Sequence, residues 1–149
     1  MIVQEANLLQ IRDRFPGSAI GYTSGVFDLL HQGHVTYLEK CRQNCDLLVV
    51  GIDADNLVVS RKGTARPVQS LDFRLLNVQC HADYVFPKEK SSKNYTAQLK
   101  PNVYFFSEQN FPDSIKIKEI SSTKNFLRVI IVEYSEGIST TSIIENGRG

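Results

Sequence analysis

The segment Asp46-Leu47-Leu48-Val49-Val50-Gly51-Ile52 is apolar almost without interruption, and this narrows the possible folds more than any other part of the chain. A strand with one wet face alternates polar and apolar residues. A continuous aliphatic run instead reads as a strand covered on both faces, as in a parallel sheet sandwiched by helices. Ala19–Thr23, Ala82–Phe86, Asn102–Phe106 and Arg128–Tyr134 read as further strands, separated by polar or helix-compatible stretches. Val35, Leu38 and Cys41 recur at helical spacing, and Glu5 to Arg14 is expected to be an amphipathic helix with Leu8, Leu9 and Ile11 on one side, ended by Pro16-Gly17. The pattern predicts an α/β chain: a Rossmann-like three-layer αβα arrangement around a central parallel sheet of about five strands, with a ligand crevice at their carboxyl ends. With 149 residues, 42% of them hydrophobic, residues 1–149 are expected to form a single domain around one core.

Chemistry is concentrated where the first strand should hand over to a helix, in Gly25-Val26-Phe27-Asp28-Leu29-Leu30-His31-Gln32-Gly33-His34. The first backbone N–H groups of a helix have no partner within it, and the helix dipole adds positive potential at that end, so such a junction suits a phosphate. Gly33 keeps the approach clear of a side chain. The bland alternative makes His31 a helix cap and His34 a surface residue. Two other stretches invite the same question. Ser60-Arg61-Lys62-Gly63-Thr64-Ala65-Arg66-Pro67-Val68 reads as a cationic loop after the second strand, and Glu136-Gly137-Ile138-Ser139-Thr140-Thr141 precedes an apolar Ile143-Ile144 pair. In the latter, Ser139 or Thr140 would cap a final helix whose core residues are Ile143 and Ile144, with Asn146 to Gly149 ending it. Lys88 to Lys93 reads as a solvated loop opening a helix, and Ile120 to Lys124 as loop or helix end.

The pattern Gly-x-Phe-Asp-x-x-His-x-Gly-His resembles the signature of the cytidylyltransferase-like nucleotidyltransferases. The resemblance implies that His31 and His34 stabilise charge at the transferred α-phosphoryl group, with Gly25, Val26, Phe27, Asp28 and Gly33 among the nucleotide contacts. No general base is needed, because the attacking phosphate monoester is already an anion; positioning and charge stabilisation are the main tasks. The Lys62-Gly63 and Arg66-Pro67-Val68 pairing, with Arg74 a few residues on, is similar to the ADP-heptose-synthase-like branch. It implies that Lys62 reaches phosphate and that Arg74 braces the loop or binds phosphate. Asp28 would orient its loop or touch metal through water. Gly137, Ser139, Thr140 and Thr141 are implied to hold nucleotide phosphates at the start of the helix after the last strand. The implied partners are an NTP (ATP or CTP) with its Mg²⁺, and a phosphorylated sugar or polyol, in a homodimer. Two departures stand out. Where many relatives carry a glycine-rich segment after the fourth strand, this chain has Ser107-Glu108-Gln109-Asn110, and Tyr134 stands where the glycerol-phosphate cytidylyltransferase branch has arginine.

Composition limits the alternatives. A net charge of +1 gives no whole-protein basic field, which argues against a dedicated nucleic-acid binder. No apolar run is long enough to span a bilayer, and Met1-Ile2-Val3-Gln4-Glu5 lacks the pattern of a signal peptide, so a cytoplasmic location is expected. Cys41, Cys45 and Cys80 form neither a disulfide framework nor a zinc pattern and read as small buried apolar residues.

Overall fold

The computed structural model describes residues 1–62, 67–107, 128–132 and 142–145, with 60–62 and 142–145 described through their backbone. After a 3-10 turn at Glu5–Asn7 come α1 (Leu8–Arg14), β1 (Ile20–Gly25), α2 (Gln32–Gln43), β2 (Leu47–Asp53), α3 (Asp55–Lys62), α4 (Leu71–Gln79), β3 (Tyr84–Lys88), α5 (Lys93–Leu99), β4 (Val103–Ser107), β5 (Arg128–Val132) and β6 (Ser142–Glu145). The strands form one sheet in the order β3-β2-β1-β4-β5-β6. β1 to β5 pair in parallel, as the apolar run at residues 46–52 requires, and β6 joins β5 antiparallel.

Alternation along each strand divides the core. Leu48, Val50 and Ile52 of β2 face a cluster completed by Tyr37, Leu38 and Cys41 of α2 and Leu75 and Val78 of α4. Val49 faces the opposite cluster, with Leu8 and Ile11 of α1 and Tyr95 and Leu99 of α5. Helices therefore cover both faces, and full burial of each such aliphatic side chain contributes about 1.5–3 kcal/mol. The layers approach closely at Gly21, where a Cβ would lie 2.6 Å from the Phe105 ring and 2.7 Å from Cys45 Sγ.

An arginine ties each end of the sheet. At the amino end, Arg12 donates to the carbonyls of Lys100 (3.1 Å), Phe15 (2.7 Å) and Ser18 (3.1 Å) and to Asn102 Oδ1 (3.1 Å). At the carboxyl end, Arg74 does the corresponding work beside the candidate site. Close to it, the ends of β2 and β3 carry a buried ion pair, Lys88 Nζ to Asp53 Oδ1 at 3.2 Å, with side chains 9% and 4% exposed.

Several local expectations are corrected. The segment Ser142–Glu145, expected as part of a final helix, is the edge strand β6; its Ser-Ile-Ile-Glu sequence holds the β-branched residues that suit a strand. Ser60 to Lys62, expected as loop, forms the end of α3. Leu9 is exposed, because the short α1 turns only Leu8 and Ile11 inward. Lys88 and Ser92 are buried rather than solvated, Lys88 by pairing with Asp53 and Ser92 by its hydroxyl contact with Tyr22 (2.9 Å). Of the cysteines, Cys41 is buried, Cys45 half-buried and Cys80 exposed. Burial pushes the Cys41 thiol well up and the Cys45 thiol up to about 11, which keeps both protonated and unreactive at neutral pH.

Candidate active site

The sheet order places β2 on one side of β1 and β4 on the other, so strand order reverses between β1 and β4, the switch point at whose carboxyl ends open parallel sheets form a ligand crevice. The loop from β1 into α2 forms one wall. Its backbone is unusual: Phe27 and Leu29 both have φ of 52°, a left-handed conformation that is rare and disfavoured for residues with a Cβ. Phe27 is held there by burying its ring in the core, and Gly25 leaves that ring room, since a Cβ at Gly25 would lie 3.0 Å from it. Leu29, exposed, has no such anchor in the core.

The loop ends in a reciprocal cap built from the two histidines. His31 is the N-cap residue of α2 and its Nδ1 accepts from the Gly33 amide at 3.0 Å, while His34 Nδ1 accepts from the His31 amide at 3.3 Å. The rings stack with centroids 3.9 Å apart, and Phe27 meets His34 edge-on at 5.5 Å. Because both Nδ1 atoms accept, the neutral form of each ring carries its proton on Nε2, an assignment made from the hydrogen bonds. His31 is thus a helix cap, and the same two hydrogen bonds leave Nε2–H as the donor of each neutral ring.

Partial burial is the larger cause, and repulsion from His31 the smaller, that lower the His34 pKa from 6.5 to about 4 against the opposing pull of Asp28. At neutral pH His34 is an uncharged donor. Between about pH 6.5 and 4 the unfolded chain binds a proton there that the folded chain refuses, so this site's contribution to stability is present above 6.5 and is lost as pH falls. Urea denaturation across this window should show stability declining with acid in the wild type and a shallower decline in His34→Gln. Equal slopes would place the His34 titration near its ordinary value.

A second segment holds the histidine loop in place. Asp28 accepts from the amides of Val68 (Oδ2, 2.8 Å) and Gln69 (Oδ1, 3.0 Å), and Gln69 Oε1 accepts from the Leu29 amide at 2.9 Å. Arg74 is 0% exposed. It donates to the carbonyls of Val26 (3.0 Å), Asp53 (2.7 Å) and Gln69 (3.2 Å) and pairs with Asp55 at 2.6 Å. Of the two roles open to Arg74 in the sequence, bracing is the one its geometry fits, and the same holds for Asp28 as an orienting group.

Gly25, Val26, Phe27, Asp28, His31, Gly33, His34 and Arg74 thus gather in one neighbourhood. Lys62 closes α3, with its backbone alone described, and Gly137, Ser139, Thr140 and Thr141 lie outside the described residues. Gln69, Asp53 and Asp55 were not anticipated. A glutamine in a turn carries no distinctive chemistry, whereas the acidic pair around Ala54 at the end of the apolar strand was a visible cue.

A family model described as cytidylyltransferase-like matches residues 22–146. The chain is 38% identical to the bifunctional protein HldE of Campylobacter concisus over 83% of this chain and 26% of that protein. It is also 38% identical to the bifunctional protein HldE of Pseudomonas fluorescens, over 97% of this chain and 31% of that one. It therefore spans about a quarter to a third of these relatives' length. Among solved structures, a lipopolysaccharide core biosynthesis protein from Thermoplasma volcanium superposes with a TM-score of 0.66 at 24% identity, covering 85% of this chain and all of the other. A pantoate-beta-alanine ligase from Francisella tularensis also gives 0.66, at 14% identity, over 95% of this chain and 70% of the ligase. These two likenesses concern the fold. No helix among the described residues is long and apolar enough to cross a membrane.

Proposed function

The chain belongs to the cytidylyltransferase-like family of nucleotidyltransferases, and from that premise we propose that it transfers an NMP group from ATP or CTP to a phosphorylated sugar or polyol, releasing pyrophosphate. The observation that carries this reading is the reciprocal His31–His34 cap at the start of α2, in which both Nδ1 atoms accept and Nε2–H is left as the donor of each neutral ring. An oxygen of the acceptor phosphate bonds to the α-phosphorus as the bond to the β-phosphate oxygen breaks, and pyrophosphate leaves with that electron pair. Charge accumulates on the α-phosphoryl oxygens, where preorganised donors are worth most. His34, uncharged at neutral pH, keeps Nδ1 as acceptor for the His31 amide and donates there through Nε2–H.

Lys62 and the hydroxyls and amides of Gly137 to Thr141 belong to the proposal as further phosphate contacts. So does Mg²⁺, as a companion of the triphosphate. Among the described residues no three His, Cys, Asp or Glu side chains are grouped to hold a metal ion, and both Asp28 oxygens accept backbone amides. This donor set suits an ion carried mainly on phosphate oxygens, as Mg²⁺ commonly is. When bound, it neutralises charge between the phosphates. Similarity to HldE and the Lys62 to Val68 pattern favour a sugar phosphate as acceptor, and Tyr134 in place of arginine weighs against glycerol phosphate.

The test is direct. The protein is incubated with Mg²⁺, pyrophosphatase, each of the four NTPs in turn and a panel of sugar and polyol phosphates, and phosphate release is measured. Release is expected with one NTP and only when a phosphorylated acceptor is present. Tight NTP binding with no release across the panel would instead favour a nucleotide-binding module, the reading consistent with Ser107 to Asn110 replacing a glycine-rich turn.

A further inference from the structure

Gln69 is the residue on which the bracing of the histidine loop converges. Its amide donates to Asp28, its carbonyl accepts from Arg74, and its side-chain Oε1 accepts from the amide of Leu29. The first two contacts use backbone atoms and remain available to any residue but proline. The third depends on the side chain alone, and it reaches the one left-handed residue of the loop that is exposed rather than anchored in the core. Leu29 stands two residues before His31, whose amide in turn holds His34. A residue in this conformation persists only where its surroundings determine it, and at Leu29 the Gln69 amide oxygen is the contact that does so.

We propose that Gln69 is a positioning residue for the transfer reaction, holding Leu29 in its left-handed conformation so that the His31–His34 pair stays registered on the transferred phosphoryl group. This rests on the proposed function for its catalytic consequence, though not for its structural one. Losing the contact lets the loop relax toward right-handed or extended conformations, which displaces His31 and opens the His34 ring to water. Misplacement of this order at a reacting centre commonly costs tenfold or more in rate while leaving remote binding intact.

The experiment compares the wild type with Gln69→Met, which keeps the length but removes the acceptor, and Gln69→Glu, which restores an oxygen at the same place. For Gln69→Met, kcat is expected to fall roughly tenfold with the KM for the NTP within about twofold, and Gln69→Glu to recover most of that loss. Long-range ¹⁵N imidazole NMR supplies a readout independent of turnover: the His34 titration midpoint, about 4 in the wild type, should rise toward 6.5 in Gln69→Met. Unchanged kcat together with an unchanged His34 midpoint would overturn the proposal. So would a Glu variant as slow as the Met variant, or a thermal midpoint lowered so far that Gln69 is simply structural. If the wild type transfers no nucleotide at all, the functional reading fails on its own, and the His34 titration still decides the role of Gln69.

Discussion

Replacing His34 with alanine is expected to lower kcat by roughly a hundred- to a thousandfold while weakening NTP binding only severalfold. The expectation follows from the state in which the ring is held. Nδ1 is occupied by the His31 amide, the ring is stacked on His31 and abutted by Phe27, and partial burial keeps it uncharged at neutral pH. Such a donor gains little from a ground-state phosphate that is already solvated by metal and water, and gains most when charge shifts onto the equatorial oxygens of the transition state. Alanine also leaves the His31 amide without its acceptor, so part of the loss reflects a loosened His31. Steady-state kinetics paired with equilibrium NTP binding separates the cases: a loss shared equally between turnover and binding would make His34 a uniform binding group and remove its assigned role.

Arg74→Met is expected to destabilise the protein by about 3–5 kcal/mol through the carbonyls it leaves unpaired, lowering the thermal midpoint by roughly 10 °C for a chain of this size. The arginine is wholly buried, and its removal leaves the carbonyls of Val26, Asp53 and Gln69 short of a donor. A buried polar group left unpaired costs about 1–3 kcal/mol, and these carbonyls share one cavity, so their losses do not simply add. The partner Asp55 has a side chain 59% exposed, and solvent takes over its charge. Arg74→Lys should recover less than half, because a compact ammonium cannot span the β1–α2 loop, the end of β2 and the 67–70 turn as the planar guanidinium does. Chemical denaturation measures all of this, and a loss below about 1 kcal/mol for Arg74→Met would show that the segment holds without its brace.

Legibility in the sequence followed the reach of the interaction concerned. The parallel sheet was readable because burial on both faces leaves a run of consecutive aliphatics, and residues 46–52 carry such a run. The histidine junction was readable because the residues of a helix cap are adjacent in the chain. Contacts between distant segments were not. Nothing near Gln69 marks it as reaching back 40 residues to Leu29, and Lys88 looked solvated because its partner Asp53 lies on another strand 35 residues earlier. Arg74 was half readable: its type left bracing and phosphate binding both open, and its burial among the carbonyls of Val26, Asp53 and Gln69 fits bracing. The reading of Ser142–Glu145 as helix failed for a different reason. Four residues are too few for periodicity to separate helix from strand, and pairing with β5 decides it.

The buried pair between Lys88 and Asp53 bears on how this sequence can drift. The pair sits in a nearly dry site, so losing one partner while keeping the other charge costs stability, whereas exchanging both for neutral residues carries a smaller penalty. Single-step descent at these positions is therefore obstructed, and the two sites are inherited as a unit. Descendants of this chain should keep lysine with aspartate or exchange both, so the two positions would vary together.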